Sequence, residues 1–303
     1  MKVVFCVDDN WRYMRLLQVA VRSLRKVQGA DVPCLCVYAG DNARILDALE
    51  QERVPVARYQ PVLSRDRIPK AFHTCIGCFL KLELSLLPEL ADDPYALYCD
   101  VDVLFHRNID ALLAARPAYM AMARENTAPF FHDYEQLTYT WRGQEYRVPM
   151  PFPIWTFSSG VVVFHLERLR KHEYIYNFLE FCAQNMETIG NLDQSMLNYF
   201  FGKRIEKLEP EWNRPPYQPD SLEKGRIIHF HGPKPWDVGL PLWDYLRVEH
   251  YWDMRDIWLG YLTPEERAEV EQWSEENRQT GDAQRAAKAK AASSPPSDSP
   301  SGT

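Results

Sequence analysis

Apolar and polar positions follow two different periods along the first sixty residues. Short apolar runs, typical of buried strands, cover Val3 to Val7, Pro33 to Tyr38 and Val54 to Tyr59. Between them, Trp11 to Val27 and Asn42 to Gln51 carry apolar residues at the spacing of a helix that buries one face. Strands that alternate with helices of this length predict βαβ units and a mostly parallel sheet.

The same periods continue through the rest of the chain, with one long interruption. Further strands are predicted at residues 95–105, 118–123, 159–165 and 226–230, and further helices at residues 79–87, 166–186, 193–201 and 242–262. Residues 124–153 have no clear period, so they are predicted to form a long excursion with one hairpin around Arg142-Gly143-Gln144. The predicted fold class is α/β, with a mostly parallel central sheet flanked by helices.

Composition indicates how much of the chain folds. The 303 residues are enough for one large α/β domain or two small ones, and the 46% that are hydrophobic allow a sizeable core. From about Glu275 the sequence is dominated by Ala, Lys, Ser and Pro without periodicity, a composition typical of disorder. We therefore expect a folded domain over residues 1–274 and a disordered tail over residues 275–303.

Charge and hydropathy bound the partners and the location. The net charge is −7 and no basic block occurs, so nucleic acid is not expected as a partner. The apolar run before Asp8 is too short for a signal peptide, and no uncharged apolar stretch approaches the roughly 20 residues of a transmembrane helix. We expect a cytoplasmic protein, with peripheral contact with the inner face of a membrane left open. Residues 243–261 could make that contact, but their mixture of Asp, Glu and Arg favours an amphipathic helix packed on the domain.

The cysteines raise a second possible chemistry. Seven are present, and Cys75 and Cys78 form a C-x-x-C, a spacing found in redox pairs and in halves of zinc sites. No second C-x-x-C or C-x-x-H follows to complete a tetrahedral zinc site. We therefore expect reduced thiols in a cytosolic protein.

Two aspartates interrupt an otherwise apolar strand at Tyr98-Cys99-Asp100-Val101-Asp102-Val103-Leu104-Phe105. In an extended segment, positions i and i+2 point the same way, so Asp100 and Asp102 should project from one face. Two buried like charges are costly unless a cation compensates them. Carboxylate oxygens suit Mn²⁺ or Mg²⁺, which can bridge two phosphate oxygens. The alternative is a strand that ends early, with both aspartates in a solvated turn.

A second polar group follows the last predicted strand, at Ile227-Ile228-His229-Phe230-His231-Gly232-Pro233-Lys234-Pro235-Trp236. A neutral imidazole can complete the ligand set of a metal, and lysine is a point-charge partner for phosphate. Taken singly, His229 is an ordinary histidine at a strand end and Lys234 an ordinary solvated lysine. Their combination with the remote Asp-x-Asp favours a metal and diphosphate site.

Two further polar segments each have a structural and a functional interpretation. Residues 191–198 could simply start a helix, with Asn191 or Asp193 as its N-cap. Asp8-Asp9-Asn10 ends the first strand, at the sheet edge where α/β proteins bind ligands. A carboxylate there could accept the N3–H of uracil, or the segment could only cap the helix that begins at Trp11.

In this order, the segments resemble the motifs of the family 8 retaining glycosyltransferases, which include glycogenin and bacterial lipopolysaccharide galactosyl- and glucosyltransferases. The resemblance covers about residues 1–240 and includes Phe157-Ser158-Ser159-Gly160-Val161, Leu192-Asp193-Gln194 and the segment from Leu208 to Asn213. It implies a GT-A type nucleotide-diphospho-sugar transferase fold. The implied parts are a nucleotide-binding part (1–123), a donor-sugar and acceptor part (124–240) and C-terminal helices (241–274).

The resemblance also implies roles for individual residues. Asp100, Asp102 and His229 would hold Mn²⁺ or Mg²⁺, and Gln194, Asp193 and Lys234 would be catalytic. The implied contacts with a UDP-sugar donor are Asp8, Asn10, Lys81, Asp100, Val101, Ser158, Ser159, His231, Gly232 and Lys234. A hexose or related sugar would pass with retention to a glycan, lipopolysaccharide or protein acceptor. Because the Gln194 amide is a poor nucleophile, we expect same-face attack by that acceptor.

Three positions depart from the family pattern. Ser158 replaces an asparagine, Lys81 replaces an arginine and loses its bidentate fork, and one residue instead of two separates Gly232 from Lys234. After this shortening, His231 could take over part of the role of Lys234. Trp141, Tyr146 and Trp155 could stack on an acceptor sugar or belong to the core.

Two other functions compete with that of a glycosyltransferase. A nucleotidyltransferase that makes sugar nucleotides would be expected to open with a glycine-rich basic loop, a place taken here by Asp8-Asp9-Asn10-Trp11. A non-catalytic nucleotide- or glycan-binding protein on a transferase scaffold would account for the departures at Ser158 and at the Gly232 turn.

Overall fold

The computed structural model describes residues 1–63, 76–124, 136–149, 156–171, 174–185, 192–240 and 249–293. The strands are β1 (Lys2–Val7), β2 (Cys34–Tyr38), β3 (Val56–Arg58), β4 (Ala96–Cys99), β5 (Val103–Phe105), β6 (Met120–Arg124), β7 (Gln136–Trp141), β8 (Gln144–Pro149), β9 (Phe157–Phe164), β10 (Ile205–Leu208) and β11 (Ile227–His229). The α-helices are α1 (Trp11–Gln28), α2 (Ala43–Gln51), α3 (Asp110–Leu113), α4 (Leu166–Arg170), α5 (Tyr174–Asn185), α6 (Leu192–Phe201), α7 (Ser221–Lys224), α8 (Glu249–Leu259) and α9 (Pro264–Ser293). Short 3₁₀ helices cover Ile76–Leu86, Pro88–Leu90, Gly202–Arg204 and Pro210–Trp212.

The central sheet has seven strands in the order β10-β6-β9-β4-β1-β2-β3. β1 pairs in parallel with β2 and β4, β2 with β3, and β6 with β10, whereas β9 runs antiparallel between β4 and β6. Helices cover both faces of this mainly parallel sheet, which confirms the predicted α/β fold class. The strand β10 was not predicted, because its short polar sequence does not alternate clearly.

Burial along β1 explains why its sequence has no polar alternation. Val4 and Cys6 pack in the hydrophobic core on one face of the sheet, while Val3, Phe5 and Val7 pack in the core on the other face. A strand covered on both faces becomes a continuous apolar run, as parallel strands usually do. Asn10 and Asn42 then begin the next helices, since each side chain accepts the backbone N–H two residues further on.

The predicted long strand over residues 95–105 is two strands in different sheets. β4 ends at Cys99, and β5 pairs antiparallel with β11, with Val103 opposite His229. Asp100, Val101 and Asp102 form the turn between them. The prediction that both aspartates project from one face of an extended strand is therefore wrong, because the chain leaves the central sheet at Asp100.

Two other predicted helices differ in the structure. The stretch predicted over residues 79–87 is a 3₁₀ helix from Ile76 to Leu86. The helix predicted over residues 166–186 is divided into α4 and α5. Part of the helical stretch predicted at 242–262 forms α8, and residues 241–248 lie outside the described residues.

The predicted hairpin is confirmed. β7 and β8 pair antiparallel, with Trp141 opposite Gln144, so the loop between them has two residues. Arg142 and Gly143 both have positive φ, 49° and 75°, which is the conformation of the tight hairpin turn that suits twisted strands.

The prediction of a disordered tail from residue 275 is wrong for residues 275–293, which belong to α9. Ala, Glu, Gln and Arg in this stretch are strong helix formers, and Asn277 donates hydrogen bonds to the loop that follows β11. Residues 294–303 lie outside the described residues. Among the helices described, none is both long and apolar enough to cross a bilayer.

Candidate active site

Two carboxylates and one imidazole meet where the β4–β5 turn faces β11. His229 Nε2 lies 3.1 Å from Asp102 Oδ1 and 3.6 Å from Asp100 Oδ2. One ligand atom from each of the three residues lies within 4.8 Å of the others. The turn is fixed by hydrogen bonds from Asp100 N to Gly160 O and from Phe230 N to Asp102 O, both 2.8 Å long. The predicted metal-ligand set therefore converges, although Asp102 and His229 are 127 positions apart in the sequence.

The imidazole of His229 is held in one orientation. Its Nδ1 lies 2.8 Å from the amide oxygen of Asn213. Because that oxygen only accepts hydrogen bonds, Nδ1 carries the proton and Nε2 faces the two carboxylates. Gly160 makes this placement possible, since a Cβ at that position would overlap the imidazole ring. Asn213 and Gly160 both belong to segments that carry the family resemblance, but their contacts with His229 were not predicted, although a glycine inside an apolar strand is a signal of close approach.

Neighbouring positive charges keep the buried carboxylate of Asp102 ionised. Burial alone would raise the pKa of Asp102, but Lys234 and His229 hold it well below its ordinary value. Burial alone would lower the pKa of His229, and the carboxylates of Asp102 and Asp100 raise it above the usual value. Asp102 is therefore a carboxylate at neutral pH, which is the form that binds cations.

Lys234 reaches the same cluster despite the shortened turn before it. Its Nζ lies 2.6 Å from Asp102 Oδ2 and 3.1 Å from the carbonyl oxygen of Phe230. Gly232 has a φ of 82°, a conformation that favours glycine, and so lets the chain turn sharply after β11. His231 lies beside the cluster, with its ring centroid 5.3 Å from that of His229.

Lys81 joins the aspartates of two different elements. Its Nζ lies 2.9 Å from Asp100 Oδ1 and 2.9 Å from Asp193 Oδ2. The carbonyl oxygen of Ser159 is 3.1 Å from the same Nζ, and the whole side chain is buried. Burial alone would lower the pKa of Lys81, but Asp100 and Asp193 raise it above its ordinary value. The lysine therefore stays protonated and its three N–H bonds face protein acceptors.

Side chains at the start of α6 are fixed against β9. Ser159 Oγ donates to Asp193 Oδ2 at 2.8 Å, and Ser159 N donates to Gln194 Oε1 at 3.1 Å. One turn later, Asn198 exchanges hydrogen bonds of 2.7 and 2.9 Å with the backbone of Phe157. Ser158 is buried on the same strand. The predicted donor-sugar residues of β9 and α6 are thus adjacent, and Lys81 connects them to Asp100.

The first strand ends at a second part of the site. Asp8 accepts hydrogen bonds of 3.0 Å from the backbone N–H groups of Asn10 and Gly77, one on each oxygen. Burial raises the pKa of Asp8. Asn10 Oδ1 caps α1, as its structural interpretation predicted. The 3₁₀ helix from Ile76 to Leu86 connects the two parts, since it supplies Gly77 to Asp8 and Lys81 to Asp100.

Three further residues predicted to contact donor or acceptor lie in the β4–β5 turn and in the β7–β8 hairpin: Val101, Trp141 and Tyr146. Val101 lies between Asp100 and Asp102 in the turn and is half-buried. Trp141 packs with its ring centroid 6.3 Å from those of Phe181 and Phe200, an arrangement typical of a core residue. Tyr146 stacks on Tyr139 within the hairpin.

The described cysteines bear on the redox or zinc chemistry that the sequence left open. Six cysteines are described. Cys78 lies with its Sγ 4.0 Å from Asp193 Oδ1, and the other five are buried thiols: Cys6, Cys34, Cys36, Cys99 and Cys182. Cys75, Asn191 and Trp155 lie outside the described residues.

Comparison with solved structures reveals the same architecture in several glycosyltransferases. An active-site mutant of LgtC is 19% identical, with a TM-score of 0.65 over 89% of this chain and 100% of that one. The galactosyltransferase LgtC in complex with donor and acceptor sugar analogs is also 19% identical, with a TM-score of 0.64 over 86% of this chain and 100% of that one. Mouse xyloside xylosyltransferase 1 is 18% identical, with a TM-score of 0.51 over 76% of this chain and 96% of that one. No curated protein sequence matches the chain significantly.

The fold is thus the GT-A fold shared with these glycosyltransferases. Residues 2–238 match the family described as glycosyl transferase family 8, so the chain belongs to that family. The predicted resemblance is confirmed. Membership of this family does not support the nucleotidyltransferase interpretation.

Proposed function

We propose that this enzyme is a metal-dependent retaining transferase that moves a hexose or related sugar from a UDP-sugar to a glycan, lipopolysaccharide or protein acceptor. One observation carries the proposal. Asp100, Asp102 and His229 present ligand atoms within 4.8 Å of one another, and the ammonium of Lys234 lies beside them. This combination of acidic ligands and a cation suits a diphosphate leaving group bound through a divalent metal.

The chemistry of the donor set fits Mn²⁺ or Mg²⁺. Carboxylate oxygens suit Mn²⁺ and Mg²⁺, a neutral imidazole can complete the ligand set, and the Nε2 of His229 already faces the carboxylates. When bound, the cation would supply Lewis-acid stabilisation of the negative charge on the diphosphate.

Lys234 is positioned to exchange one anionic partner for another. In this structure its ammonium pairs with Asp102 at 2.6 Å. A donor diphosphate beside the cluster would provide new oxygens for the same ammonium, which would offset the charge that develops as the sugar departs. Removal of such a contact commonly costs about a hundredfold or more in rate.

Asp193 and Gln194 would act on the sugar. Asp193 would orient hydroxyl groups, because Lys81 and Ser159 hold its carboxylate in place. Gln194 is an amide whose oxygen accepts the Ser159 N–H, which makes it a poor nucleophile. We therefore favour retention through attack by the acceptor on the face that the diphosphate leaves, with the departing phosphate taking the acceptor proton.

Asp8 would recognise the base of the nucleotide. Its carboxylate lies at the carboxyl end of β1, where ligands of α/β sheets bind. Accepting the N3–H of uracil would distinguish UDP from a cytidine nucleotide. A cytoplasmic site of action is part of the proposal, and it is supported by the buried thiols of Cys6, Cys34, Cys36, Cys99 and Cys182.

The direct test is donor hydrolysis and transfer. The protein is incubated with Mn²⁺ and separate UDP-linked glucose, galactose, xylose and N-acetylhexosamines, and released UDP is measured. We expect release with at least one donor, a loss of about a hundredfold or more in Asp102→Asn, and normal release in the matched surface variant Asp92→Asn. Full activity of Asp102→Asn, or of the wild type in excess chelator, would refute the metal assignment.

A further inference from the structure

The C-terminal helices α8 and α9 lie beyond the part of the chain that matches the family, residues 2–238. We infer that they hold the loop of residues 232–240, here called the Lys234 loop, in the position that nucleotide binding requires. Arg255, Asn277 and Gly281 are then positioning residues that act through Lys234. This inference rests on the proposed function, because it takes Lys234 as a diphosphate contact.

α8 binds the proline carbonyls of the loop. Arg255 Nε donates to Pro235 O at 2.6 Å, and Tyr251 OH lies 3.4 Å from Pro233 O. Proline has no N–H, so its carbonyl is the only backbone group available to fix it. Arg255 is itself buried, and its Nη2 contacts Glu271 and Ser274 of α9 at 3.1 and 3.2 Å.

α9 continues the contacts as far as the backbone of Lys234. Asn277 Nδ2 donates to Trp236 O at 2.9 Å and to Asp237 Oδ1 at 3.2 Å. The other oxygen of Asp237 accepts the backbone N–H of Lys234 at 2.8 Å. One asparagine of the C-terminal helix is therefore two hydrogen bonds away from the residue that pairs with Asp102.

Two glycines allow the backbones to meet. Gly281 is buried inside α9, where glycine is a poor helix former, and a Cβ there would overlap the carbonyl oxygen of Gly239. Gly239 has a φ of 81°, and a Cβ there would lie 2.9 Å from Arg278 Cγ. The presence of Gly281 in the interior of α9 is explained by this contact, since the missing side chain lets α9 pack directly on the Lys234 loop.

The loop needs an external support because its own turn is short. Only Pro233 separates Gly232 from Lys234, so few backbone torsions within the turn can correct the position of the lysine. A displacement of about 1 Å from a change far from the chemistry can cost about a hundredfold in rate. Contacts with α8 and α9 thus fix the position of Lys234, which the shortened turn alone does not fix.

The test uses the full chain and compares Gly281→Ala and Asn277→Ala with Thr280→Ala, an exposed neighbour in the same helix. UDP affinity in Mn²⁺ and Mn²⁺ affinity without nucleotide are measured for each. We expect both test variants to lose about tenfold or more in UDP affinity while Mn²⁺ affinity stays within twofold, and Thr280→Ala to match the wild type. Gly281→Ala is informative because alanine should otherwise favour the helix.

A second arm separates positioning from general destabilisation. In a Lys234→Ala background, Gly281→Ala and Asn277→Ala should cause no further loss of UDP affinity, because the group they position is absent. An equal loss in both backgrounds, or UDP affinity within twofold of the wild type in both single variants, would overturn the inference. Wild-type UDP binding in Mn²⁺ reports on the proposed function alone, and its absence would overturn that function.

Discussion

At His229, one hydrogen bond decides which ring nitrogen faces the carboxylates. The amide oxygen of Asn213 accepts the hydrogen bond from Nδ1–H, and Gly160 leaves room for the ring. Hydrogen-bonded partners of this kind orient ligands and raise their basicity. The proposed metal site therefore includes Asn213 and Gly160 as well as its three proposed ligands.

Asn213→Ala should weaken Mn²⁺ binding by about 10- to 100-fold, because the imidazole loses its fixed tautomer and orientation. Electron paramagnetic resonance of free Mn²⁺ during titration would measure the affinity. Asn185→Ala is the matched control. Asn185 is also buried and hydrogen-bonded, but it lies in α5 and its side chain bonds the β7–β8 hairpin. Equal Mn²⁺ affinity in Asn213→Ala and Asn185→Ala would contradict this role.

Lys81 illustrates a role that its residue type alone could not reveal. The sequence predicted a donor contact, and that prediction stays untested. In the structure the ammonium lies between Asp100 and Asp193 and also contacts the Ser159 carbonyl. We therefore propose that Lys81 acts mainly by holding the metal-side and sugar-side carboxylates at a fixed separation.

At the scale of elements, the 3₁₀ helix from Ile76 to Leu86 carries more than Lys81. Its Glu83 is buried, and the carboxylate accepts hydrogen bonds of 2.7 Å from Tyr59 OH, Val62 N and Leu63 N. This element therefore ties the end of the β3 segment to the core under the site.

Glu83→Gln should lower the free energy of unfolding by about 2 kcal/mol, because an amide nitrogen would replace one acceptor facing these donors. Urea unfolding at pH 7 measures the difference. Glu89→Gln, at an exposed position of the next short helix, should change stability by less than about 0.5 kcal/mol. If the two variants proved equally stable, Glu83 would not anchor this segment.

Local patterns predicted the βα alternation well, because strands buried on both faces and amphipathic helices leave clear periods. They could not predict that the apolar run from Tyr95 to Phe105 changes sheets at Asp100, since β5 pairs with a strand more than a hundred residues away. The three proposed metal ligands were predicted by residue type and resemblance. The contact between Asn213 and His229 was not predicted because it is set by tertiary packing, and the part of α9 from residue 275 was not predicted because its composition is typical of disorder.

A network of ion pairs joins α9 to α1 at opposite ends of the sequence. Arg22 and Arg15 both pair with Glu266, and Arg15 also pairs with Glu269 at 2.8 Å. Trp11, at the start of α1, donates its indole N–H to Glu269 at 3.0 Å. The C-terminal helix therefore contacts both α1 and the Lys234 loop.

Stability should depend on this network in a pH-dependent way. Burial alone would raise the pKa of Glu266, but Arg22 and the N–H of Thr263 hold it below its ordinary value. A carboxyl whose folded pKa is lowered stabilises the protein at neutral pH and loses that effect as pH falls below the usual range near about 4. Glu266→Gln should thus be about 2 kcal/mol less stable at pH 7, with the difference shrinking in acid.

Thermal or urea unfolding between neutral pH and about pH 3 would measure this difference. Glu265→Gln, an exposed neighbour, serves as the control. A stability difference for Glu266→Gln that stayed constant across this range would show that its charge does not contribute to folding.

In the proposed mechanism, UDP binds through a divalent cation that Asp100, Asp102 and His229 hold. Calorimetric titration of UDP into the protein, with Mn²⁺ and then with excess chelator, tests it most directly. We predict UDP binding with Mn²⁺, a loss of about a hundredfold in affinity with chelator, and a similar loss in Asp102→Asn with Mn²⁺ present. Equal UDP affinity under all three conditions would contradict the account.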